Sequence, residues 1–284
     1  MAKAVGLVAR TDRRDALSLA SKMADRFEKE GFEVLLEPSL AKRADRTRGS
    51  TPLENMRTDL LVTVGGDGTI LRTCLKIPKP EPPILAVDMG VRGFLAEVRP
   101  ERALDAVERY LDGSYHIERY SKVASFIGEA RLPDALNEVF VTSRYLAKLL
   151  HVRVLKGDLA IADCRADGVI VASQVGSTAY SFSAGGPILD PGLEAFVLTP
   201  VCPATFLQPI VFPSNSEVTI ELLKPKAATV VIDGDFQKKI DQRQPSILIR
   251  RSEYESSFVR FEGDFYKRLK ARLLFSREEG YEDG

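Results

Sequence analysis

Along the first third of the chain, short apolar runs alternate with stretches whose apolar residues recur at helical spacing. Such alternation marks strands joined by crossover helices in a parallel sheet. Residues 4–10 (AVGLVAR) predict a strand, after which Leu17, Ala20, Met23, Ala24 and Phe27 give a helix one apolar face until Gly31 stops it. FEVLLEP is the next strand, and residues 59–64 (DLLVTV) and 83–89 (PILAVDM) complete the set. Between the last two, GGDGT turns into the helical pattern ILRTCLK, and after Pro100 the segment ERALDAVERYLDG predicts a helix ended by Gly113. Residues 38–58 hold Pro, Ser and many charges with little apolar content, which reads as a loop or a short helix.

From about residue 114 the period changes. KVASFIG, ALNEVFVT, LLHVRVLKG, DLAIADCRADGVIVAS, EVTIEL, ATVVIDGD, SILIRR and SSFVRF follow one another with turns between them, so this half is mostly β. Asp264 then caps a last helix with Phe265, Leu269 and Leu273 on one face, and the acidic tail SREEGYEDG reads as disordered. Two domains are expected: residues 1–113 as an α/β domain to which 264–284 return, and residues 114–263 as a β-rich domain.

Composition narrows the class. With 44% hydrophobic and 28% charged residues in 284, a sizeable core is available and wholesale disorder is excluded. Lys plus Arg (40) balances Asp plus Glu (40), which leaves no global positive field to hold nucleic acid or a membrane surface. No apolar stretch approaches the roughly 18 residues of a membrane span, and the first apolar run is too short for a signal peptide. Cys74, Cys164 and Cys202 lack CxxC spacing and read as buried reduced thiols. With only His116 and His151 as imidazole donors, no metal-ligand set is expected from the chain itself. A reducing cytoplasm is the expected location.

Two stretches carry chemistry. Gly65, Gly66, Asp67, Gly68 and Thr69 lie directly between a strand and a helix, where glycines leave backbone N–H groups open to phosphate oxygens. The plainer alternative is a tight turn in which Asp67 or Thr69 caps the helix. An aspartate inside a phosphate loop repels its ligand unless it serves a metal or accepts a proton, and an alcohol being phosphorylated must lose one. Asp67 is therefore the candidate general base. The second stretch, residues 167–191 (DGVIVASQVGSTAYSFSAGGPILDP), is dense in small residues that let a flat ligand approach the backbone. Thr178, Ser181 and Ser183 offer hydroxyls and Tyr180 a stacking face; a small-residue bend at Gly185, Gly186 and Pro187 is the alternative.

In chain order, GGDGT at 65–69, Asn137-Glu138 within LNEVFV and GSTAYSFSAGGPILDP at 176–191 resemble the NAD kinases. VDMGVRGFLAEV at 87–98 echoes their Asn-x-Gly-x-x-Gly-Phe-Leu element, so the resemblance runs from the strand at residue 4 to the helix after 264. It implies an NAD kinase-like fold: an α/β domain with a parallel sheet, completed by the C-terminal helix, plus a mostly antiparallel β domain that binds NAD, with the active site in a cleft between them. The implied reaction moves a phosphoryl group from ATP or polyphosphate, with Mg2+ or another divalent cation, to the 2′-hydroxyl of the adenosine ribose of NAD.

Residue by residue, the resemblance makes Asp67 the catalytic base and gives Gly66 and Gly68 the shaping of the phosphate loop. It puts Asn137 and Glu138 on the adenosine, Asp167 near the nicotinamide end, and Thr178, Ala179, Tyr180 and Ser183 along the ligand. Arg72 and Lys148 stand near positions where basic residues meet phosphates, with a solvated face as their alternative. It also implies a homo-oligomer, dimer or tetramer, with the site buried between subunits.

The chain departs from the family pattern at three places. Ser173, Gln174 and Val175 stand where Thr-Pro-Thr is usual, so one ligand hydroxyl is missing. Asp88 replaces an Asn and sets a second carboxylate near the phosphate loop, where magnesium could be shared. The usual Asp-Gly-Gln reads Asp233-Gly234-Asp235, with Gln237 two positions on, and either Asp235 or Gln237 takes the glutamine's part. A lipid or sugar kinase with the same GGDGT loop, or a non-catalytic NAD-sensing protein, are the rival readings; the first needs an apolar groove and the second has no use for Asp67.

Overall fold

The computed structural model describes residues 3–270 except 47, 48, 91, 92, 146, 206, 226, 242, 263 and 264. In its first part the order is β1 (Ala4–Ala9), α1 (Arg14–Lys29), β2 (Glu33–Leu36), α2 (Pro38–Arg43), β3 (Leu60–Gly65), α3 (Asp67–Lys76), β4 (Ile84–Asp88) and α4 (Ala103–Leu111). There follow β5 (His116–Ile127), β6 (Ala130–Arg131), β7 (Glu138–Ser143), β8 (Leu150–Lys156), β9 (Leu159–Ala166), β10 (Gly168–Ala172) and α5 (Tyr180–Ser183). The last elements are β11 (Ala195–Val201), β12 (Ile210–Pro213), β13 (Val218–Lys224), β14 (Ala228–Ile232), β15 (Phe236–Ile240), β16 (Ser246–Arg260) and α6 (Phe265–Leu269).

The chain forms two compact units, Met1–Arg119 with Ser256–Gly284, and Tyr120–Glu255. In the first, β2, β1, β3 and β4 lie side by side in that order, all parallel, and Phe258 of β16 extends the sheet by pairing in parallel with Ile84. The helical face read from the sequence is the one buried: Ala16, Ala20, Met23, Ala24 and Phe27 of α1 share a core with Leu7, Val62 and Leu85 and with Ala103 and Val107 of α4. The step from β1 to β2 and the step from β3 to β4 run in opposite directions across the sheet. Right-handed crossovers then put α1 and α3 on opposite faces and open a crevice at the carboxyl ends of β1 and β3.

In the second unit one sheet runs β12, β11, β10, β7, β14, β15, antiparallel throughout. β8 pairs antiparallel with β9 and with β13, and β13 with the first half of β16, Val218 opposite Ile249. Val139, Val141, Ile170 and Val197 are fully buried on the inner strands.

Several details differ from the sequence reading. DLAIADCRADGVIVAS breaks at Asp167 into β9 and β10, whereas SILIRR and SSFVRF join in the single 15-residue β16. β11, β12 and β15 are additional strands; FQKKI in β15 buries only Ile240, so it lacks an apolar period. Residues 38–58 contain α2 and a short 3₁₀ turn at Leu53–Asn55. The units change inside β5 and β16, strands that run through without a shift in composition, while the sequence reading set the changes at 114 and 264. Cys74 and Cys164 are buried thiols, but Cys202 is exposed, on a left-handed backbone at φ 47, which corrects the expectation for that cysteine. Asp264, Leu273 and the tail lie outside the described residues.

Candidate functional site

β3 is buried along its whole length and delivers Gly66 as the N-cap of α3, with no side chain bonded across the cap. Asp67 is the first helical residue, yet its carboxylate turns away from the helix. Oδ2 accepts the N–H of Phe94 at 2.8 Å, and Oδ1 accepts those of Leu95 and Ala96 at 3.2 and 3.4 Å. This geometry replaces the capping alternative: Asp67 is aimed by the 93–96 turn. Gly93 makes the approach possible, because a Cβ there would stand 2.1 Å from Asp67 Oδ1. Asp88, opposite Gly65 in the β3–β4 register, ties the same turn by accepting the N–H groups of Gly90 at 2.9 Å and Gly93 at 2.8 Å.

Gly66, Gly68 and Thr69 line a cavity of about 320 Å³ together with Arg10, which follows β1, and Arg72, one turn into α3. The cavity thus occupies the crevice at the switch point of the parallel sheet, where open α/β sheets bind their ligands. Two guanidinium groups and the start of a helix favour phosphate there. Arg72 forms a two-pronged pair with Glu37. Among the described residues no group of three or more His, Cys, Asp or Glu is placed to hold a metal ion.

In the second unit the Asn137-Glu138 pair is fixed by an aspartate that the candidate set omits. Asp233 and Gly234 connect β14 to β15 with φ of 48° and 72°, the doubly positive pattern of a type I′ hairpin turn. From that turn the buried Asp233 carboxylate accepts the N–H groups of Leu136 at 2.7 Å, Asn137 at 2.8 Å and Glu138 at 3.0 Å. Burial lifts the Asp233 pKa to about 6, against the pull of those amides and of the buried Lys122. Glu138 is pushed up to about 8, first by burial and then by the neighbouring Asp233 charge. Asp-Gly between two strands was the available signal for this residue.

Asn137 Oδ1, Glu138 Oε2 and Gln174 Oε1 are buried without a hydrogen-bond partner. Buried polar atoms are nearly always satisfied, so three orphans on adjoining segments mark a place for a donor-bearing ligand or ordered water. The segments adjoin because Ser173 donates its N–H to Asn137 O at 2.8 Å and its hydroxyl to Leu136 O at 2.5 Å. Gly176 closes the approach, since a Cβ there would lie 2.0 Å from Asn137 O.

The hydroxyls beyond Gly176 bond largely within their own turn. Thr178 Oγ1 donates to Val175 O at 2.9 Å, Ser181 and Thr199 share a bond of 2.8 Å, and Ser183 Oγ donates to Ala179 O at 3.5 Å. Ala179 links the 3₁₀ turn at Gly176–Thr178 to α5. Tyr180 is 41% exposed, its ring meeting Phe140 edge-on at 5.2 Å.

Asp167 lies at the far end of β10 from Glu138 but within electrostatic reach of Tyr180. It precedes Gly168, which pairs with Thr142, whereas Glu138 pairs with Ala172 at the other end of β10, about 13 Å away at the rise of a strand. Lys148 belongs to a second cavity of about 840 Å³, lined also by Arg144, His151, Arg165 and Lys224 and, among the described residues, by no carboxylate. Gln237 is exposed on β15, opposite Val231, and Asp235 is exposed in the turn before it.

A parallel-sheet unit with a phosphate-ready loop at its switch point, and an antiparallel unit with unpaired buried acceptors, define a nucleotide-binding phosphotransferase architecture. Comparison with known proteins identifies which one. The ATP-NAD kinase N-terminal domain matches residues 5–115 and the ATP-NAD kinase C-terminal domain residues 136–261. An NAD kinase of Methanothermobacter thermautotrophicus is 39% identical over 273 residues, 95% of this chain and 96% of that protein. One from Thermococcus gammatolerans is 39% identical over 94% of this chain and 98% of its own. Among solved structures, an NAD kinase from Archaeoglobus fulgidus in complex with ATP superposes with a TM-score of 0.76 at 30% identity, covering 94% of this chain and 99% of that one. Yeast NADH kinase complexed with NADH gives a TM-score of 0.87 at 21% identity, over 100% of this chain and 90% of that one, a likeness of fold. The chain belongs to the NAD kinase family.

Proposed function

We propose that this chain transfers a phosphoryl group from ATP or inorganic polyphosphate to the 2′-hydroxyl of the adenosine ribose of NAD, giving NADP. The observation that carries the reading is the Asp67 carboxylate, held by three amide N–H groups at the mouth of the glycine loop. Asp67 takes the 2′-hydroxyl proton as that oxygen attacks the terminal phosphorus; the new O–P bond forms while the bond to the bridging oxygen breaks, and ADP or a shortened polyphosphate leaves. The backbone of Gly66 and Gly68 receives the donor phosphates, and Arg72 and Arg10 offset the charge of the transferring group.

Magnesium fits as an ion brought in on the donor, because it binds through one or two carboxylates plus substrate phosphates. Asp67 and Asp88 are the carboxylates that would meet it, a reading supported by their neighbours Gly93 and Phe94, whose N–H groups they accept. When bound it neutralises phosphate charge.

In the other unit, Asn137 and Glu138 bond the ribose hydroxyls, which supply the donors their buried oxygens lack. Thr178, Ala179, Tyr180 and Ser183 line the dinucleotide, Asp167 meets its nicotinamide end, Lys148 meets phosphate in its cationic cavity, and Gln237 takes the family glutamine's part. The active species is a homo-oligomer of the reducing cytoplasm; among the described residues no helix is long and apolar enough to cross a membrane. Incubating the protein with NAD, Mg2+ and either ATP or polyphosphate should yield NADP, and which donor works assigns the donor. Absence of NADP with both donors overturns the proposal, and NAD binding without turnover would make this a sensor.

A further inference from the structure

Arg72 lines the glycine-loop cavity, and its guanidinium is held from behind. Nη1 donates to Glu37 Oε1 at 2.5 Å and Nη2 to Glu37 Oε2 at 2.9 Å. The side chain of Glu37 is 10% exposed against 33% for Arg72, so the carboxylate is the inner partner. Glu37 is itself anchored: its N–H donates to Leu7 O at 3.0 Å, and its carbonyl accepts the N–H of Ala41 at 2.9 Å as the residue before α2. Arg10, the other arginine lining the cavity, pairs with Asp12, whose side chain is 64% exposed. The two arginines facing the loop are therefore held differently, one by a buried, backbone-anchored carboxylate and the other by a solvated one.

We infer that Glu37 is a positioning residue for phosphoryl transfer: it holds the Arg72 guanidinium beside Gly66, Gly68 and Thr69 so that the donor phosphates meet an already ordered fork. The inference rests on the proposed function, in which Arg72 contacts phosphate. Anion capture alone does not account for Glu37, because a carboxylate beside the cavity weakens its positive potential. Orientation does account for it. An arginine side chain has among the largest rotamer entropies, and a planar two-pronged partner removes that freedom before the ligand arrives.

The test is steady-state kinetics of the full chain with MgATP and NAD for E37Q, E37D, R72A, R72K and the E37Q/R72K double variant, each assayed below its melting transition. E37Q should lose roughly ten- to a hundredfold in turnover, the scale of a misplaced catalytic contact. Its KM for NAD should not move, and its KM for ATP should hold or fall as Arg72 loses its counter-charge. E37D should recover part of the turnover. On the R72K background, which lacks the fork, E37Q should cost nothing further. Should E37Q fail to fold, E37D carries the comparison, with reduced turnover at an unchanged KM for NAD. E37Q turnover within twofold of wild type, or losses from E37Q and R72K that multiply, overturns the positioning role while R72A remains impaired. Full activity in R72A overturns the phosphate contact of Arg72, and the inference with it.

Discussion

Asp67 is where the chemistry and the scaffold meet, and its substitution separates the two. Asp67→Asn removes the proposed proton acceptor, so turnover should fall about a hundredfold to ten-thousandfold while NAD binding, assigned to Asn137 and Glu138, survives. The asparagine amide cannot accept where an oxygen now does, so the 93–96 turn loses at least one partner and the melting temperature drops by the equivalent of about 1–3 kcal/mol. Turnover within a few fold of wild type would remove Asp67 from the mechanism, and loss of NAD binding together with folding would assign it to the loop alone. Tyr180, exposed with its ring edge on Phe140, should stack on the ligand. Tyr180→Ala should raise the KM for NAD several-fold, since an aromatic contact is worth about 0.5–1.5 kcal/mol. Glu138 makes a pH prediction. Its folded pKa of about 8 lies above the usual 4.5, so its contribution to stability is complete below pH 4.5 and is lost as pH rises through about 8. Asp233, raised from 3.8 to about 6, adds a loss of the same sign at lower pH. Denaturant unfolding from pH 5 to 9 should show wild type weakening with pH, while Glu138→Gln loses the upper part of that slope and is the more stable form at pH 8 or above. Parallel curves would refute the assignment.

At the scale of elements, the sequence announced those whose period matches their burial and missed those shaped by pairing. β1, β3, β4 and α1 show apolar periods because each buries a face in one core, and GGDGT was readable because a carboxylate inside a phosphate-ready loop needs a chemical reason. β15 was not readable, since only Ile240 of it is buried and its place is fixed by backbone pairing with β14. Asp233 was noted in the sequence only as the start of the stretch that departs from the family's Asp-Gly-Gln. Its buried carboxylate works on amides nearly a hundred residues away, a relation without local signature. The same holds for the 93–96 turn, legible as a family echo yet not as the cradle of Asp67. Gly93→Ala tests that cradle. With a Cβ 2.1 Å from Asp67 Oδ1, the turn must move, so turnover should fall at least tenfold while NAD affinity stays within twofold. An active Gly93→Ala enzyme would mean that the Asp67 contacts do not set its aim.

Across the described residues, exposed large apolar side chains are weighted toward the second unit, with Leu104, Tyr115 and Tyr266 those of the first. Tyr145, Leu149, Leu159, Tyr180, Phe182, Leu193 and Val211 are all more than a third exposed, and all belong to the second. A homo-oligomer of the kind proposed would cover part of that apolar surface. The sheet edges of the second unit are unequal. β15 carries exposed Gln237, Lys238 and Lys239, the charged guard that discourages pairing, whereas β12 at the other edge shows Val211, 48% exposed. Pro213 ends β12 and blocks simple strand addition, so contact there is by side chains rather than by a continued ladder. A homo-oligomer built through the β12 side is what this reading predicts. Light scattering of the active protein should therefore report a dimer or tetramer. Val211→Lys puts a charge on the apolar edge without touching the buried core, so it should shift the protein toward monomer and lower specific activity at least tenfold, with melting of the monomer still cooperative. A monomeric wild type with full activity would refute the oligomer, and an unchanged oligomer in Val211→Lys would move the interface off β12.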